Sequence, residues 1–563
     1  MDTSEKLIDR EKLNFTTKLA YGSGDMGPAI TANILVFFLL YFFTNVAGLP
    51  AALAGSILAI GKIGDAINDP IAGILSDRTR TRWGRRIPWM LFGAIPFGLF
   101  FFLQWIVPSF SPDPNVNQWC LFAYYIVIAT FFNLAYTAVN LPYTALTPEL
   151  TQDYNERTSL NSFRFAFSIG GSILSLVLSD FITRAYPEDL QQRFIVFALI
   201  STCLSMIALF WCTLRIQEKG AAPLLRQQGK KVLGFILTVM GAFGLVLAAT
   251  TIFNYSSPLF NSPEIERQFN RNTLQGIVYA LFGIQFVAFG LTLIFAKVEA
   301  HLNSSEATIA RNVANSIPTT PIKEQLRIAF ANRAFLYVMG IYMCSWLGVQ
   351  MTASILIYYV VGWMGMSENA FPTVAIAVQG TALIMLFVWK FVSDKLGKKA
   401  VYYMGTVIWI IAQAALFLIQ PGQTGLLYIG AIMAGIGVSV AYLIPWSMIP
   451  DVVDLDELNT GKRREGIFYS FMVFMQKLGL ALALFLIGVA LEWSGFIERI
   501  PGEAIPVQPD SALFAIRVAI APLPTLFLIV GLILTYFYPI TKEVHADILR
   551  QLKERKNREM LGN

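Results

Sequence analysis

The chain has 563 residues, of which 55% are hydrophobic and 14% are charged, and its mean hydropathy is +0.58. A composition this apolar excludes a soluble globular protein and indicates an integral membrane protein. The net charge of +6 does not indicate nucleic-acid binding, because the basic residues cluster in short segments between apolar runs.

Apolar runs of 18 or more residues recur along the whole chain, and a run of this length predicts a membrane-spanning helix. We expect about fourteen such spans and therefore an all-α integral membrane protein. Their expected limits are 26–49, 51–75, 87–107, 119–142, 162–182, 193–214, 232–254, 275–297, 334–360, 371–392, 400–419, 425–449, 467–491 and 513–538. The first run follows a charged segment and lacks a small-residue cleavage site, so we expect a retained helix rather than a signal peptide.

A polar cluster interrupts the second apolar run. It contains Lys62, Asp65, Asn68 and Asp69, and the last three stand at positions i, i+3 and i+4, so a helix places their oxygens on one face. Charge at membrane depth is costly and usually marks the path of an ion or a substrate. Two neighbouring carboxylates repel each other, and one proton or sodium ion between them relieves the repulsion. The sequence therefore predicts a cation site. The alternative is that both aspartates pair with Lys62 and serve only the fold.

The loop after the second run has a counterpart in the second half of the chain. Ser76-Asp77-Arg78 leads into Gly84-Arg85-Arg86, and Ser393-Asp394-Lys395 leads into Gly397-Lys398-Lys399. An internal repeat of this kind is typical of secondary transporters, whose binding sites lie near the midplane between two halves. We therefore expect two six-helix halves, which leaves two runs over.

The two surplus runs, 232–254 and 275–297, lie between the halves and contain no acidic residue. We therefore expect a hairpin that packs on the core or faces lipid rather than one that binds a substrate. The expected segments are a first half with the cation site (1–216), a central linker with the hairpin (217–330), a second half (331–540) and a tail (541–563).

Basic residues indicate the orientation. They crowd three loops on one side of the predicted spans, at 78–86, 395–399 and 462–464. With an even number of spans, the N-terminus and the basic tail lie on this same side, which the positive-inside rule makes cytoplasmic. We expect a multi-pass protein of the cytoplasmic (inner) membrane with both termini in the cytoplasm.

The thiols and imidazoles predict no chemistry of their own. The four cysteines lie in or at the ends of apolar runs without metal-ligand or redox spacing, so we interpret them as core residues. His301 and His545 are the only histidines, and both lie in polar segments. The sequence shows no nucleophile-base pair, metal cluster or phosphate loop, so we expect no enzyme and no cofactor beyond a coupling ion.

The acid-glycine-basic loop resembles the signature of the major facilitator superfamily. Five longer strings resemble those of its glycoside-pentoside-hexuronide:cation symporter family, to which melibiose permease belongs. These strings are Lys18-Leu19-Ala20-Tyr21-Gly22, Asp65-Ala66-Ile67-Asn68-Asp69-Pro70, Arg82-Trp83-Gly84, Asn140-Leu141-Pro142-Tyr143 and Pro450-Asp451-Val452-Val453-Asp454. The resemblance covers the chain from about residue 18 to the end, without the hairpin. It implies a major facilitator fold and places Asp77, Arg78, Arg82 and Asp394 in its gating loops.

The resemblance also implies how a cation is bound. In that family the acidic motif of the second span binds sodium, a proton or lithium, helped by a threonine of the fourth span. The matching positions are Asp65, Asn68, Asp69 and Thr137, which offer oxygen-bearing side chains, the ligands that small hard cations prefer. Lys477 matches a family lysine that couples cation and sugar, and Lys62 is a second coupling candidate as a tethered counter-ion. The alternative for Lys477 is extension to the membrane surface.

The implied substrate site departs from that of melibiose permease. Its two sugar-binding aspartates are replaced by Ala29 and Asn140. Asp25 lies one turn from Ala29 on the same face, and an amide at Asn140 can bond hydroxyls without repelling a carboxylate. Arg164 matches a family arginine near the sugar, and its guanidinium can offer a bidentate fork. The alternative is that Arg164 simply pairs with Asp25.

Aromatic positions of the substrate site are partly kept. Tyr136 and Tyr442 match aromatic positions near the site, whereas Thr144 replaces a tryptophan. We expect the two tyrosines to contact substrate; the alternative is ordinary helix packing.

Three classes of function remain open. The resemblance favours secondary active transport, in which sodium or a proton drives symport of a glycoside, pentoside or hexuronide by alternating access. The second hypothesis is cation-coupled transport of a lysophospholipid or other amphiphile, because the animal lysophospholipid symporters resemble the same family and also lack both sugar aspartates. The third is a membrane-embedded enzyme or a sensor, which no sequence motif supports. The expected partners are a small-molecule substrate, a coupling cation and the lipid bilayer, without nucleic acid.

Overall fold

The computed structural model of the protein describes residues 13–146, 150, 154–187, 189–218, 221–222, 224–225, 227–253, 263–295, 322–461, 465–498 and 506–561. All regular elements within these ranges are helices, as the long apolar runs predict. Twelve of them are long and apolar enough to cross a membrane, and Ala51–Lys62 and Ile87–Leu103 are shorter apolar helices. The expected number of about fourteen spans stays a prediction.

Six helices are described in the first half of the chain. They are α1 Phe15–Asn45, α2 Ala51–Arg78, α3 Ile87–Leu103, α4 Pro114–Ala145, α5 Tyr154–Ala185 and α6 Leu190–Arg215. Helix α1 packs against α5 and α6, and α4 packs against α2 and α3. Helix α1 begins at Phe15 rather than at the expected residue 26, so Asp25 lies inside the helix and not at its start.

Two helices follow that belong to neither half. They are α7 Gln227–Phe253 and α8 Pro263–Ile294, which pack against each other along their length. Glycines permit this close approach, since a Cβ on Gly241 would lie 2.6 Å from the carbonyl oxygen of Gly283. Helix α8 contacts the first half, where Gln285 Nε2 donates to the Leu204 carbonyl at 2.9 Å. Helix α7 faces outward with exposed apolar side chains such as Phe235 and Phe243, as expected for contact with lipid.

Eight helices are described in the second half, and a C-terminal helix follows them. They are α9 Ile322–Ala331, α10 Arg333–Trp363, α11 Ala370–Leu396, α12 Lys398–Leu418, α13 Thr424–Thr460, α14 Glu465–Trp493, α15 Asp510–Ile520, α16 Pro522–Phe537 and the C-terminal α17 Lys542–Leu561. Helix α10 packs against α13, α14 and α16. The last expected span is broken at Ala521, whose backbone is not helical and which precedes Pro522.

The two halves share a local irregularity that supports the internal repeat. Helix α1 contains a π-helical segment at Leu35–Leu39, and α10 contains one at Tyr359–Trp363. Each lies in the first spanning helix of its half, and α10 contacts the π-helical segment of α1. Single π-turns inside α-helices are rare, and those that occur are often found at functional sites.

Helix α1 begins and helix α16 ends on the same side of the molecule. The end of α16 lies near the start of α10, because Tyr538, directly after α16, and Phe335 of α10 belong to the same core cluster. At the opposite side, α10 meets the end of α1, where Tyr358 OH and Thr44 Oγ1 lie 2.8 Å apart. We name the side at which α1 begins and α16 ends the terminal face, and the opposite side the distal face.

The halves contact each other from the middle of the molecule to the distal face. Helix α2 packs against α14, and α5 packs against α11. At the crossing of α2 and α14, a Cβ on Gly488 would lie 2.5 Å from the Ala51 carbonyl and 2.9 Å from the Gly55 Cα. The hydrogen bond from Gln379 Nε2 to Asn33 Oδ1, at 3.3 Å, joins α11 to α1 nearer the middle. The protein is therefore closed at its distal face.

Candidate functional site

One carboxylate joins three helices in the interior. Asp69 Oδ1 accepts a hydrogen bond from the Thr137 hydroxyl at 2.9 Å, and Asp69 Oδ2 accepts one from Lys477 Nζ at 2.6 Å. These residues lie on α2, α4 and α14, so the carboxylate links two helices of the first half to one of the second. The Asp69 and Lys477 side chains are 20% and 16% exposed. A cation that binds to Asp69 would therefore compete with an ammonium group of the other half.

Helix α2 carries the predicted acidic cluster to this point. Residues 61–70 are helical, and Asn68 and Asp69 are both partly buried. The side chain of Asp65 lies outside the described residues. Among the described side chains, no group of three or more carboxylates, imidazoles or thiols is close enough to hold a metal ion. The donors around Asp69 are therefore one carboxylate with neutral oxygens such as that of Thr137, a hard set that suits a small cation better than a soft transition metal.

The two lysines of the region have different partners. Lys62 Nζ donates to Asn133 Oδ1 at 3.1 Å, and it lies 5.9 Å from the centroid of the Tyr136 ring. The alternative that Asp65 and Asp69 both pair with Lys62 stays a prediction, because the side chain of Asp65 lies outside the described residues. The hypothesis that Lys477 extends to the membrane surface is wrong, because Lys477 is paired with Asp69.

Asn133 is a polar residue of this region that the sequence analysis missed. Its amide nitrogen donates to the carbonyls of Gly61 at 3.0 Å and Ala129 at 2.9 Å, and its oxygen accepts from Lys62. It therefore fixes the side chain of Lys62 against α4. The available signal was an amide inside an apolar run, four residues before Thr137 on the same helix face.

A second ion pair lies on α1 and α5. Arg164 Nε donates to Asp25 Oδ2 at 3.3 Å, with the side chains 24% and 10% exposed. The guanidinium also lies 5.7 Å from the ring centroid of Tyr143, which stacks on Tyr21 and donates to its carbonyl at 2.8 Å. The pairing of Arg164 with Asp25, expected as an alternative, is therefore present. It leaves guanidinium N–H groups that can donate to a hydroxyl or a carboxylate.

Close helix packing positions Asp25. A Cβ on Gly22 would lie 2.8 Å from the Phe163 carbonyl, and one on Gly24 would lie 2.5 Å from the Tyr143 ring. The two glycines thus allow α1 to approach α5 and α4 closely on either side of Asp25. This gives a physical reason for glycine at positions 22 and 24.

Helix α4 connects the two polar regions. Thr137, Asn140 and Tyr143 stand three residues apart, which places them about 4.5 Å apart along the helix axis. Thr137 contacts Asp69, and Tyr143 contacts the pair of Asp25 and Arg164. The amide oxygen of Asn140 is buried and has no hydrogen-bond partner among the described residues. An unsatisfied buried acceptor is costly, and a hydroxyl donor would relieve that cost.

The two candidate substrate-contacting tyrosines take part in helix packing. Tyr136 lies 6.1 Å from the ring of Phe97 and 6.0 Å from that of Phe132. Tyr442 meets Trp346 edge to face at 5.6 Å. The packing that the sequence analysis gave as the alternative is therefore present, and contact with substrate stays a prediction for both.

The gating loop of the first half is described in part. The side chains of Asp77, Arg78 and, in the second half, Asp394 lie outside the described residues. Arg82 is exposed, and its guanidinium lies 4.8 Å from the Trp83 ring. The Arg82 carbonyl accepts from the backbone N–H of Ala222 at 2.7 Å, which attaches this loop to the segment that leads into the hairpin.

Glu218 is a second residue that the sequence analysis missed. Its buried carboxylate accepts from the backbone N–H groups of Arg85 at 2.8 Å, Arg86 at 2.7 Å and Ile87 at 2.8 Å. These groups lie at the start of α3, where N–H donors lack partners within the helix and negative charge is favoured. No local sequence signal identified Glu218, because it is 131 residues from Ile87.

The Asp451 and Asp454 string binds other helices at the terminal face. Asp451 accepts from Lys398 Nζ at 2.7 Å through both oxygens, and His545 Nε2 lies 3.0 Å from Asp454 Oδ2. These contacts hold α12 and α17 against the end of α13, which continues to Thr460 rather than ending at the expected residue 449. Burial, with the nearby charge of Asp451, raises the pKa of the Tyr538 phenol. In the described residues, the string therefore joins three helices at the terminal face.

Comparison with known proteins identifies the family. The family model for MFS/sugar transport proteins matches residues 20–233 and 226–542. An uncharacterized symporter of Synechocystis sp. is 59% identical over 98% of both chains. The inner membrane symporter YicJ of Escherichia coli is 26% identical over 97% of both chains. A sodium-dependent lysophosphatidylcholine symporter 1-B of Danio rerio is 24% identical over 98% of this chain and 92% of its own.

Solved structures agree on the fold. The xylose transporter XylE of E. coli, in a partially occluded inward-open conformation, has a TM-score of 0.52 at 13% identity and covers 93% of this chain and 99% of its own. A bacterial homologue of the lysosomal transporter Spinster has a TM-score of 0.52 at 12% identity and covers 95% of this chain and 97% of its own. With the family match over most of the chain, these findings show that the protein belongs to the MFS/sugar transport protein family, a family of membrane transporters and not of enzymes.

Proposed function

We propose that the protein is a cation-coupled symporter that uses sodium or a proton to drive transport of a glycoside, pentoside or hexuronide by alternating access. The observation that carries this proposal is the position of Asp69, whose carboxylate is shared between Thr137 of its own half and Lys477 of the other. The symporter names of relatives that match nearly the whole chain support the coupling.

The ion pair gives the coupling a physical basis. At about 4 Å and an effective dielectric constant of about 20, two opposite unit charges attract by about 4 kcal/mol before desolvation is counted. A proton or sodium ion on Asp69 removes its net charge and most of this attraction. Since Lys477 belongs to the second half, filling the cation site weakens a contact between the halves, and the balance between conformations shifts.

We assign the cation to Asp65, Asn68, Asp69 and Thr137. Asp69 and Thr137 already contact each other, and Asn68 and Asp65 lie on the same face of α2. Lys477 and Lys62 act as coupling residues, Lys477 through Asp69 and Lys62 through α4. The lysophosphatidylcholine symporters that resemble this chain are named sodium-dependent, which supports sodium as the coupling ion.

We assign the substrate to the polar wall formed by Asp25, Asn140 and Arg164, with Tyr136 and Tyr442 as aromatic neighbours. The unsatisfied oxygen of Asn140 supports a ligand that donates hydrogen bonds, as a sugar hydroxyl does. Because Thr137 and Asn140 are one turn apart on α4, a small rotation of this helix would move side chains of both the cation site and the substrate site. This wall differs from that of melibiose permease, whose two sugar-binding aspartates are replaced here by Ala29 and Asn140.

The alternative is cation-coupled transport of a lysophospholipid or another amphiphile. It is favoured by the match to lysophosphatidylcholine symporters of Danio rerio and Gallus gallus over 97% or more of this chain. Both classes of substrate would use the same cation site, so only the identity of the transported substrate distinguishes the two proposals.

We also propose that the protein resides in the cytoplasmic (inner) membrane with both termini in the cytoplasm. The terminal face carries two of the basic loops, 79–86 and 395–399, which the positive-inside rule assigns to the cytoplasm. The name of the E. coli relative, an inner membrane symporter, supports this location.

The test is a substrate panel in proteoliposomes. Glycosides, pentosides, hexuronides and lysophosphatidylcholine are each offered with and without an imposed sodium or proton gradient. We expect one of the sugar classes to accumulate only under one gradient, and Asp69→Asn to abolish this accumulation. Accumulation of lysophosphatidylcholine alone would establish the alternative, and uptake that ignores both gradients would disprove symport.

A further inference from the structure

A buried ion pair closes the distal face between the two halves. The Glu368 carboxylate accepts from the Arg193 guanidinium through Oε2 and from the Tyr41 hydroxyl through Oε1, the latter at 2.5 Å. Arg193 and Tyr41 lie on α6 and α1 of the first half, whereas Glu368 lies between α10 and α11 of the second. Both of these hydrogen bonds to Glu368 therefore cross from one half to the other.

The arginine is fixed by its own half. Arg193 Nε donates to the Tyr186 carbonyl at 3.1 Å, and one terminal nitrogen donates to the Pro187 carbonyl at 2.9 Å. These bonds stay within the first half, so the guanidinium keeps its place when the halves separate. Glu368 therefore moves away from Arg193 together with the second half.

The pair is shielded from water. The side chains of Arg193 and Glu368 are only 8% and 11% exposed. The rings of Phe38 and Phe371 pack beside them with centroids 5.1 Å apart, again across the halves. In such a place the charges are stable only together, because an unpaired buried charge is strongly unfavourable. When the halves separate, water can hydrate each charge, and that cost disappears.

Other contacts at the same face support closure without charge. Thr44 and Tyr358 lie 2.8 Å apart between their hydroxyl oxygens, and Glu492 accepts from the Ala52 backbone N–H at 3.3 Å. Both again join the first half to the second at the distal ends of helices. The ion pair is thus the charged member of a set of contacts that open and close together.

We propose that Arg193, Glu368 and Tyr41 form the distal gate of the transport cycle, so that their separation admits ions and substrate from the distal side. With the gate closed, Asp69 cannot be approached from the distal face. The inference requires alternating access, the mechanism of the proposed function, but neither the identity of the substrate nor that of the coupling ion. The gate residues are positioning residues and do not contact the ligand.

The test measures access to a buried position beside the gate. Thr183 lines the small cavity at the ion pair and is 4% exposed, and among the described residues its hydroxyl donates to the Ser179 carbonyl of its own helix. A Thr183→Cys variant in nanodiscs is treated with a membrane-impermeant maleimide, and the chain without this substitution gives the background of the four native cysteines. In the Thr183→Cys background, Glu368→Gln is expected to raise the labelling rate about tenfold or more, since it leaves the Arg193 charge unpaired in the closed state.

A matched control and a second variant keep the test decisive. Asp180→Asn breaks the ion pair of Asp180 with Arg184, which lies within α5 of one half, and is expected to leave labelling within twofold of the parent. Tyr41→Phe removes only the second donor to Glu368 and is expected to raise labelling about threefold. If Glu368→Gln does not give monodisperse protein, Tyr41→Phe decides. Labelling that stays unchanged in the folded variants, or rises equally with Asp180→Asn, would overturn the gate.

The same test separates failure of the gate from failure of the proposed function. Labelling requires neither substrate nor an ion gradient, so the gate is supported or overturned whatever the substrate panel shows. If labelling responds to Glu368→Gln while no symport is found, the gate stands and the proposed function falls.

Discussion

Asp69 and Lys477 form an ion pair of 2.6 Å although 408 residues separate them in the chain. The pair connects the helix that carries the acidic cluster to a helix of the opposite half. Occupancy of the carboxylate and contact between the halves are therefore linked by one bond.

Replacing Lys477 with glutamine tests the link. The ammonium competes with a cation for Asp69, so its removal is expected to increase sodium affinity about tenfold, a coupling of ordinary size, while accumulation of substrate is lost. Sodium titrations of tryptophan fluorescence measure the affinity, and Lys399→Gln serves as the control because Lys399 bonds only backbone carbonyls at the terminal face. Weaker sodium binding would mean that Lys477 helps to hold the ion.

Asp25→Asn tests the assignment of the substrate. The change leaves Arg164 without its carboxylate partner and removes a hydrogen-bond acceptor, so affinity for the substrate found in the panel is expected to fall about tenfold. Sodium affinity should stay within twofold, because Asp25 has no described contact with Asp69. Calorimetric titration measures both. If both affinities fall together, or neither does, Asp25 serves the fold rather than the substrate.

Gly488→Ala tests the crossing of α2 and α14. The added methyl group would lie 2.5 Å from the Ala51 carbonyl, so the two helices must move apart at the distal face. We expect the transport rate to fall about tenfold while sodium binding is retained, since Asp69 lies deeper along α2. Gly425→Ala is the control, because nothing lies within 4 Å of a Cβ there. Unimpaired transport by Gly488→Ala would show that this crossing tolerates separation.

Glu218→Ala tests how the gating loop is held. Three backbone N–H groups at the start of α3 lose their acceptor, and we expect a loss of about 2 to 4 kcal/mol of stability. Thermal unfolding in detergent measures the loss. Glu554→Ala changes an exposed glutamate of α17 and should leave the unfolding temperature unchanged. Equal unfolding temperatures for the two variants would contradict this role of Glu218.

The helices and the polar positions inside them could be predicted from the sequence because both depend on local pattern. Long apolar runs must form helices in a membrane, since the backbone has no other partner for its hydrogen bonds. That positions 65, 68 and 69 share one face of a helix follows from helix geometry alone. The resemblance to symporters led to Thr137 and Lys477, whose contacts with Asp69 the structure shows.

Partners distant in the chain could not be predicted in this way. Lys62 is close to Asp69 in sequence, and local reasoning offered it as a counter-ion, but the structure also brings Lys477 to Asp69 from 408 residues away. Glu218 and Glu368 gave no signal, because a glutamate in a polar connecting segment is ordinary in sequence. Their importance comes only from the groups that the fold brings to them.

The sequence by itself determined that this is a helical membrane protein built from two related halves, with acidic residues at membrane depth. The physical reason is that hydropathy, helix periodicity and the cost of buried charge act over a few turns and are readable from neighbouring residues. Only the tertiary structure decided which charges meet, namely Asp69 with Lys477, Asp25 with Arg164 and Glu368 with Arg193. Those pairs depend on how helices of distant sequence pack and on which face of the molecule is closed, and no local pattern encodes either.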